Sequence, residues 1–285
     1  MADLSYTTVQ YRGLTFGRPN TRRLRRGDGL TGWDELPPST TNKAPRFGLH
    51  GNTPASVRFD GRTVTMAGFV EAAANRDDLV AEFSRIMVPP TDPADTDELT
   101  ITVAGRALTA DAQLLAASTV MGPMWGSGWF EFKAQWWCPD HRRFGTWQTA
   151  VAPITAPVAG LVWPVTFPIT FPANPPSGSA TLYNEGTAPA PAIYTITGPI
   201  QQPGVSLDPA GRRVMFDLNL ADGQQLVIDT ATPGGLLDGQ WYTANASSDL
   251  TCELEVPAGT STVQALGQFL SGSPSFTVAF RSAYW

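Results

Sequence analysis

Residues 151–176 read VAPITAPVAGLVWPVTFPITFPANPP, an uncharged stretch with seven prolines that divides the chain. Proline fixes φ and removes an N–H donor, so this stretch is neither helix nor central strand. It is predicted to run extended, as polyproline II or an edge strand, between a domain at 1–150 and another at 177–285. Trp163-Pro164, Phe167-Pro168 and Phe171-Pro172 recur every four residues. A free linker has no use for three large aromatics, so Trp163, Phe167 and Phe171 are expected to dock this arm on a surface, its own or a neighbour's. The spacing is not PxxP, which argues against an SH3 ligand.

Upstream of the arm, strand-like runs dominate: YTTVQYRGLTF (6–16), ASVRFDGRTVTMAGFV (55–70), ELTITVAGRAL (98–108) and GWFEFKAQWW (128–137). The second run reads as a hairpin, with Asp60-Gly61 supplying the turn. One helix is predicted over about 75–87, with Asn75 as N-cap, Asp78 three residues on, and an apolar stripe of Leu79, Val80, Phe83, Ile86 and Met87. Strands with a single amphipathic helix predict a β-barrel or split barrel for 1–150. Downstream, VMFDLNL (214–220), TCELEV (251–256) and SFTVAF (275–280) alternate apolar and polar residues. DPAG, ADGQ and PAG punctuate them as turns, so 177–285 is expected to be a β-sandwich. The 285 residues, with glycine and proline numbering 52 together, fit this mainly β reading.

Charge and motifs narrow the function by exclusion. Residues 1–150 carry 16 basic and 16 acidic side chains, whereas 151–285 carry 3 and 9 and supply the whole net charge of −6. An acidic second half argues against a dedicated nucleic-acid binder. The start has no apolar signal segment and no run is long enough to span a membrane, so a soluble protein made in a reducing cytoplasm is expected. Cys138 and Cys252 read as two free thiols buried as small hydrophobes, without a disulfide framework. No GxSxG, P-loop, GxGxxG or HExxH motif occurs, and His50 and His141 are the only histidines. No enzyme and no cofactor are expected.

Four smaller features remain. Cys138 and His141 have C-x2-H spacing, half of a zinc site, but Cys252 and His50 offer no paired second half, so no metal is expected. Asp92, Asp95, Asp97 and Glu98 lack the regular spacing and turn glycine of a calcium loop. Asn245-Ala-Ser247 is a formal glycosylation sequon without secretory context. The run RRLRRGDG (22–29) could grip phosphates, but no basic patch continues it. Arg22, Arg23, Arg25 and Arg26 are therefore read as a strip between subunits, pairing with a neighbour's Asp34 or Glu35. LTGWDELPP (30–38) then poses a choice for Trp33: its ring folds onto its own core, or it is held out for another chain.

Several stretches together resemble the distal tail proteins of long-tailed, non-contractile bacteriophages (siphophages). They are VQYRGLTFG, GLTGWDELPP, RFGLHGNTP, GRTVTMAGFV, the short helix and a strand ending in CPDHRRFG, where His141 stands before Arg142. The second half is similar to that family's galectin-like sandwich through LYNEGTAPAPAIYTITGPI, VMFDLNLADGQQLVIDT and LEVPAGTSTV. Nearly the whole chain is covered. The resemblance implies a virion protein made in the bacterial host, whose first domain forms a homo-hexameric ring around the DNA channel at the far end of the tail. Its implied partners are the tail tube protein, the tail-tip hub or tail-associated protein, the tape measure protein and receptor-binding proteins; DNA would pass without specific binding and no membrane would be entered. Under this reading Trp33 joins the ring contact, since Trp and Arg dominate interfaces. The rival reading is a carbohydrate-binding module, in which Trp241 and Tyr242 stack on a sugar; against it stands a Trp241 that fills the sandwich mouth.

Overall fold

The computed structural model describes residues 7–18, 22–41, 43–47, 50, 52–53, 57–71, 74–154, 178–269 and 272–285. Trp163, Phe167 and Phe171, with the rest of 155–177, lie outside the described residues. The protein is mainly β and divides into two units, residues 1–145 with Trp285, and residues 146–284. The division falls between Gly145 and Thr146, inside a strand.

In the first unit the chain runs through β1 (Thr8–Tyr11), β2 (Leu14–Gly17), β3 (Arg22–Leu24) and β4 (Leu30–Thr31). It continues through β5 (Ser39–Thr41), β6 (Ala44–Pro45), β7 (Asn52–Thr53), β8 (Val57–Phe59) and β9 (Arg62–Glu71). Then come α1 (Arg76–Ile86), β10 (Asp97–Val103), β11 (Arg106–Val120), β12 (Trp129–Cys138) and the start of β13 (Arg143–Pro153). One sheet runs β2-β1-β10-β11, with β13 touching β11 at Thr109↔Phe144. The other runs β11-β12-β9, and β9 also pairs with β3 and β4.

β11 belongs to both sheets. Residues 106–112 pair with β10 and residues 113–120 with β12, and the register shifts between Leu114 and Ala116. Such an extra residue bends a strand and sharpens its twist, which lets β11 turn the corner of a split barrel. The core lies inside that bend. Phe83 of α1 packs on Phe16 of β2 (6.3 Å) and Phe132 of β12 (5.8 Å), and Phe16 and Phe132 are 5.0 Å apart. The one α-helix among the described residues thus pins the two sheets through a single buried ring. Asn75 occupies the N-cap, as its sequence suggests, but its side chain makes no capping bond.

The expected hairpin at Asp60-Gly61 does not form. β8 pairs with β5, while β9 pairs with β12, β3 and β4. Asp60 instead closes the β5–β8 ladder, donating its N–H to the Pro38 carbonyl and accepting from Thr40 Oγ1 at 2.6 Å. Gly61 is required for close approach, because a Cβ there would fall 2.5 Å from Trp137 Nε1.

The second unit holds the rest of β13, then β14 (Ser179–Asn184), β15 (Ala192–Thr197), β16 (Ile200–Asp208), β17 (Arg212–Met215) and β18 (Asn219–Leu220). It ends with β19 (Gln225–Asp229), β20 (Gly235–Leu237), β21 (Gln240–Tyr242), β22 (Gly259–Phe269) and β23 (Ser275–Tyr284). One sheet runs β13-β23-β15-β19-β20-β21, the other β14-β22-β16-β17 with β18 also on β16. Each buries one face: Tyr194, Ile196, Leu226, Ile228, Phe276, Val278 and Phe280 from the first, Leu182, Val205, Leu207, Val214 and Val263 from the second. That is a β-sandwich.

Two strand readings are corrected. VMFDLNL is broken into β17 and β18. TCELEV holds a 3-10 turn at Thr251–Leu254, whose buried residues Thr251 and Leu254 follow a period of three rather than two. That turn leaves Cys252 exposed, so only Cys138 is the buried thiol expected, with its pKa pushed up to about 12 by burial.

Candidate subunit-contact surface

The arginine run pairs within its own unit. Arg22 reaches Glu82 of α1, Arg23 bonds Glu71 at 2.9 Å, and Arg25 bonds Glu131 at 2.6 Å with Asp28 at 3.6 Å. Arg26 is exposed and makes no ion pair among the described residues. β3 alternates sides, so Arg22 faces α1 while Arg23 lies with Phe69 on the outer face of β9. Arg22, Arg23 and Arg25 fasten β3 and its neighbours to one another.

Trp33 is only 2% exposed, so its ring lies in its own unit and cannot be offered to another chain. Arg143 sits over it at 5.8 Å and bonds Asp34 at 2.8 Å. Below the loop lies Arg62, 1% exposed, a residue to which the sequence drew no attention. Its guanidinium donates to the carbonyls of Gly32 (2.9 Å), Trp33 (2.7 Å), Glu35 (2.6 Å) and His141 (3.0 Å). Burial lowers its pKa to about 10, with Arg143 adding to the fall. The expectation that Trp33 serves an interface fails because this buried cation draws the loop inward by its backbone. Glu35 keeps an exposed side chain above that anchor.

What the loop does project is the segment beyond it. β5–β8 and β6–β7 form two-stranded ladders that join neither sheet, and every residue of β5 and β8 is exposed. This flap carries Phe47, fully exposed, together with Leu36 (70%) and Val57 (60%). At its base Phe59 packs 5.3 Å from His141 and 5.4 Å from Trp285, which stacks on His141 at 5.2 Å. An isolated two-stranded ribbon is marginal in water, so apolar side chains on one need cover from elsewhere.

A second apolar region surrounds the β11–β12 connection. Met121 and Met124 are exposed, and a cavity of about 170 Å3 is lined by Phe69, Pro123, Met124, Trp129 and Phe130, with Arg25 and Glu131 at its rim. Phe69 and Trp129, both in its lining, stack at 5.6 Å. The sequence signals were present in both regions: an aromatic inside the polar run RFGLHGNTP, and MGPMWGSG between two strong strands.

The other sequence-level candidates separate. Cys138 is buried, while His141 stacks on Trp285 and lies tilted beside Phe59. Asp97 is taken by Arg12 (2.7 Å) and the Tyr11 hydroxyl (3.3 Å). Among the described residues no group of three His, Cys, Asp or Glu is placed to hold a metal, and no helix is long and apolar enough to cross a membrane. Trp241 does not fill the sandwich mouth: it is 56% exposed on β21, with Tyr242 half-buried beside it.

Two β units, a bent split barrel carrying one helix and then a sandwich, define the architecture, and solved structures share it. The chain is similar along its length to the SPP1 Dit (gp 19.1) protein, a paradigm of the hub adsorption apparatus in phages that infect Gram-positive bacteria. Identity is 13%, the match covers 98% of this chain and 99% of that one, and the TM-score is 0.61. The chain therefore has that protein's fold. Chains of the phage P2 baseplate in its activated conformation with Ca and with Sr also match, at 14% and 12% identity. Both matches cover 96% of this chain and 97% of theirs, with TM-scores of 0.43. No protein-family model and no curated protein matches the chain.

Proposed function

We propose that this protein is a structural component of a phage tail tip, the distal tail protein at the hub of the adsorption apparatus. In this reading six copies form a ring through their first units. The ring joins the tail tube to the tip, surrounds the DNA channel and meets the tape measure and host-attachment proteins. The observation that carries it is the whole-chain likeness to SPP1 Dit. The balanced charge of the first half supports it, because a passage for DNA cannot expose many unpaired cations. Arg22, Arg23 and Arg25 are each neutralised by a carboxylate.

A ring needs two different complementary patches on each subunit. The flap with Phe47 and the recess under Met124 are the pair we assign, a projecting aromatic and an apolar hollow. The test is a complementation. Phe47→Glu and Met124→Glu should each abolish the ring and leave folded monomers. Mixed, they should form one-to-one dimers, since each retains one intact patch. If both variants still form rings, the interface lies elsewhere.

A second reading, glycan binding by the sandwich unit, is favoured by the exposure of Trp241. Glycan-array binding that disappears in Trp241→Ala would support it.

A further inference from the structure

The second unit holds a polar hollow of about 340 Å3, within the size range of small-ligand sites. It is lined by Gln202, Arg213, Asp217, Asn245, Ser247 and Asp249, among others. Its back wall is already satisfied. Ser248 Oγ accepts from the Met215 N–H at 2.9 Å, and Asp249 accepts from the Arg213 N–H at 2.7 Å and from Arg212 at 3.1 Å.

Its mouth is not. Among the described residues the Arg213 guanidinium faces only the weak acceptor Met215 Sδ, at 3.6 Å. Asn245 spends its carbonyl on Ser247, and its amide N–H groups meet no acceptor among the described residues. The side chains of Asp217 and Gln202 are exposed and make no hydrogen bond among the described residues. A donor fork, an acceptor carboxylate and two carboxamides therefore open on one hollow.

The backbone at this mouth is strained. Gln202 has φ of 51°, where non-glycine residues are uncommon, and β16 shifts register between Gln201 and Gly204. Gly204 permits the shift, because a Cβ there would fall 2.3 Å from Met215 Sδ. Strain of this kind persists only where the surroundings hold it, and it concentrates at binding sites.

We propose that this hollow binds a neutral hexose unit of a glycan. Adjacent hydroxyls present donors and acceptors side by side, which Arg213, Asp217, Asn245 and Gln202 can meet together. Charge does not favour an anion: Asp217 and Asp249 line the hollow with Arg213, Arg212 is held by Asp249 and Glu253, and this half carries 9 acidic and 3 basic residues. Trp241 lies four residues before Asn245, so their Cα atoms are at most about 14 Å apart, within the span of a short oligosaccharide. The inference rests on the glycan reading of the sandwich and adds a site to it.

The test is saturation-transfer NMR with calorimetry on the full-length protein, using free glucose, galactose and N-acetylglucosamine, with inorganic phosphate as the anionic probe. At least one hexose should bind, weakened about tenfold or more in Arg213→Ala and in Asp217→Ala, with unchanged thermal melting; phosphate should not bind. Tenfold corresponds to about 1.4 kcal/mol, one well-made hydrogen bond. Hexose binding lost in Trp241→Ala but unchanged in both hollow variants would overturn the site and leave the glycan reading standing. Absence of binding by every hexose would sink both, and phosphate binding would assign the hollow to anions.

Discussion

Arg62 is a buried cation that makes no ion pair among the described residues; its guanidinium donates to four backbone carbonyls. A charge desolvated in this way is tolerated because each donor meets a partial negative charge at 2.6–3.2 Å. Arg62→Met should cost about 3 kcal/mol or more, since it leaves four carbonyls without their donor. Urea denaturation would measure it, and a change below about 1 kcal/mol would deny Arg62 its anchoring role. His141 offers a pH signature nearby. Burial beside Phe59 and Trp285 holds its pKa below the ordinary 6.5, with Asp140 opposing and Arg142 and Arg62 assisting. The unfolded chain takes up this proton first, so stability is full above about 6.5 and declines as pH falls through the lower folded value. His141→Gln should flatten the stability curve between pH 7.5 and the folded pKa; a curve of unchanged slope would show that another group governs it.

At the scale of elements, β9 is the hinge of the first unit, paired along its length with β12 on one side and with β3 and β4 on the other. Gly68 makes that possible, since a Cβ would fall 2.2 Å from the Arg23 carbonyl oxygen and 2.4 Å from Phe132 Cζ. Gly68→Ala should therefore destabilise by about 1–3 kcal/mol, read as a lowered melting temperature, while Gly126→Ala, with open space around it, should not. Elements of this kind were legible where burial follows a simple period. GWFEFKAQWW became β12, SFTVAF became the start of β23, and the stripe ending at Phe83 and Met87 became α1. Partners were less legible. Asp60-Gly61 looks like a hairpin turn locally, but β9 pairs with β12, distant in sequence, and β8 with β5. TCELEV alternates on paper, yet its Thr251 hydroxyl bonds the Thr232 carbonyl at 2.8 Å and the backbone coils to meet it. The same limit hid the contact surface: Trp33 is conspicuous in the sequence, but the buried Arg62 that turns it inward is 29 residues away.

At the scale of the whole molecule, the two units divide the work by charge and by surface. The first is neutral overall, with an unsupported ribbon and an apolar hollow; the second is acidic, with an exposed Trp241 and a polar hollow. That division suits the ring proposed for the first unit and the glycan binding proposed for the second. It also sets an expected order of dependence, because losing the proposed sugar site should leave assembly intact, while losing the flap should abolish it. The most direct measurement is the mass of the purified full-length protein by light scattering, with electron microscopy of the same sample. The account predicts particles of six chains with a central hole. A folded monomer that persists throughout the micromolar range would contradict it.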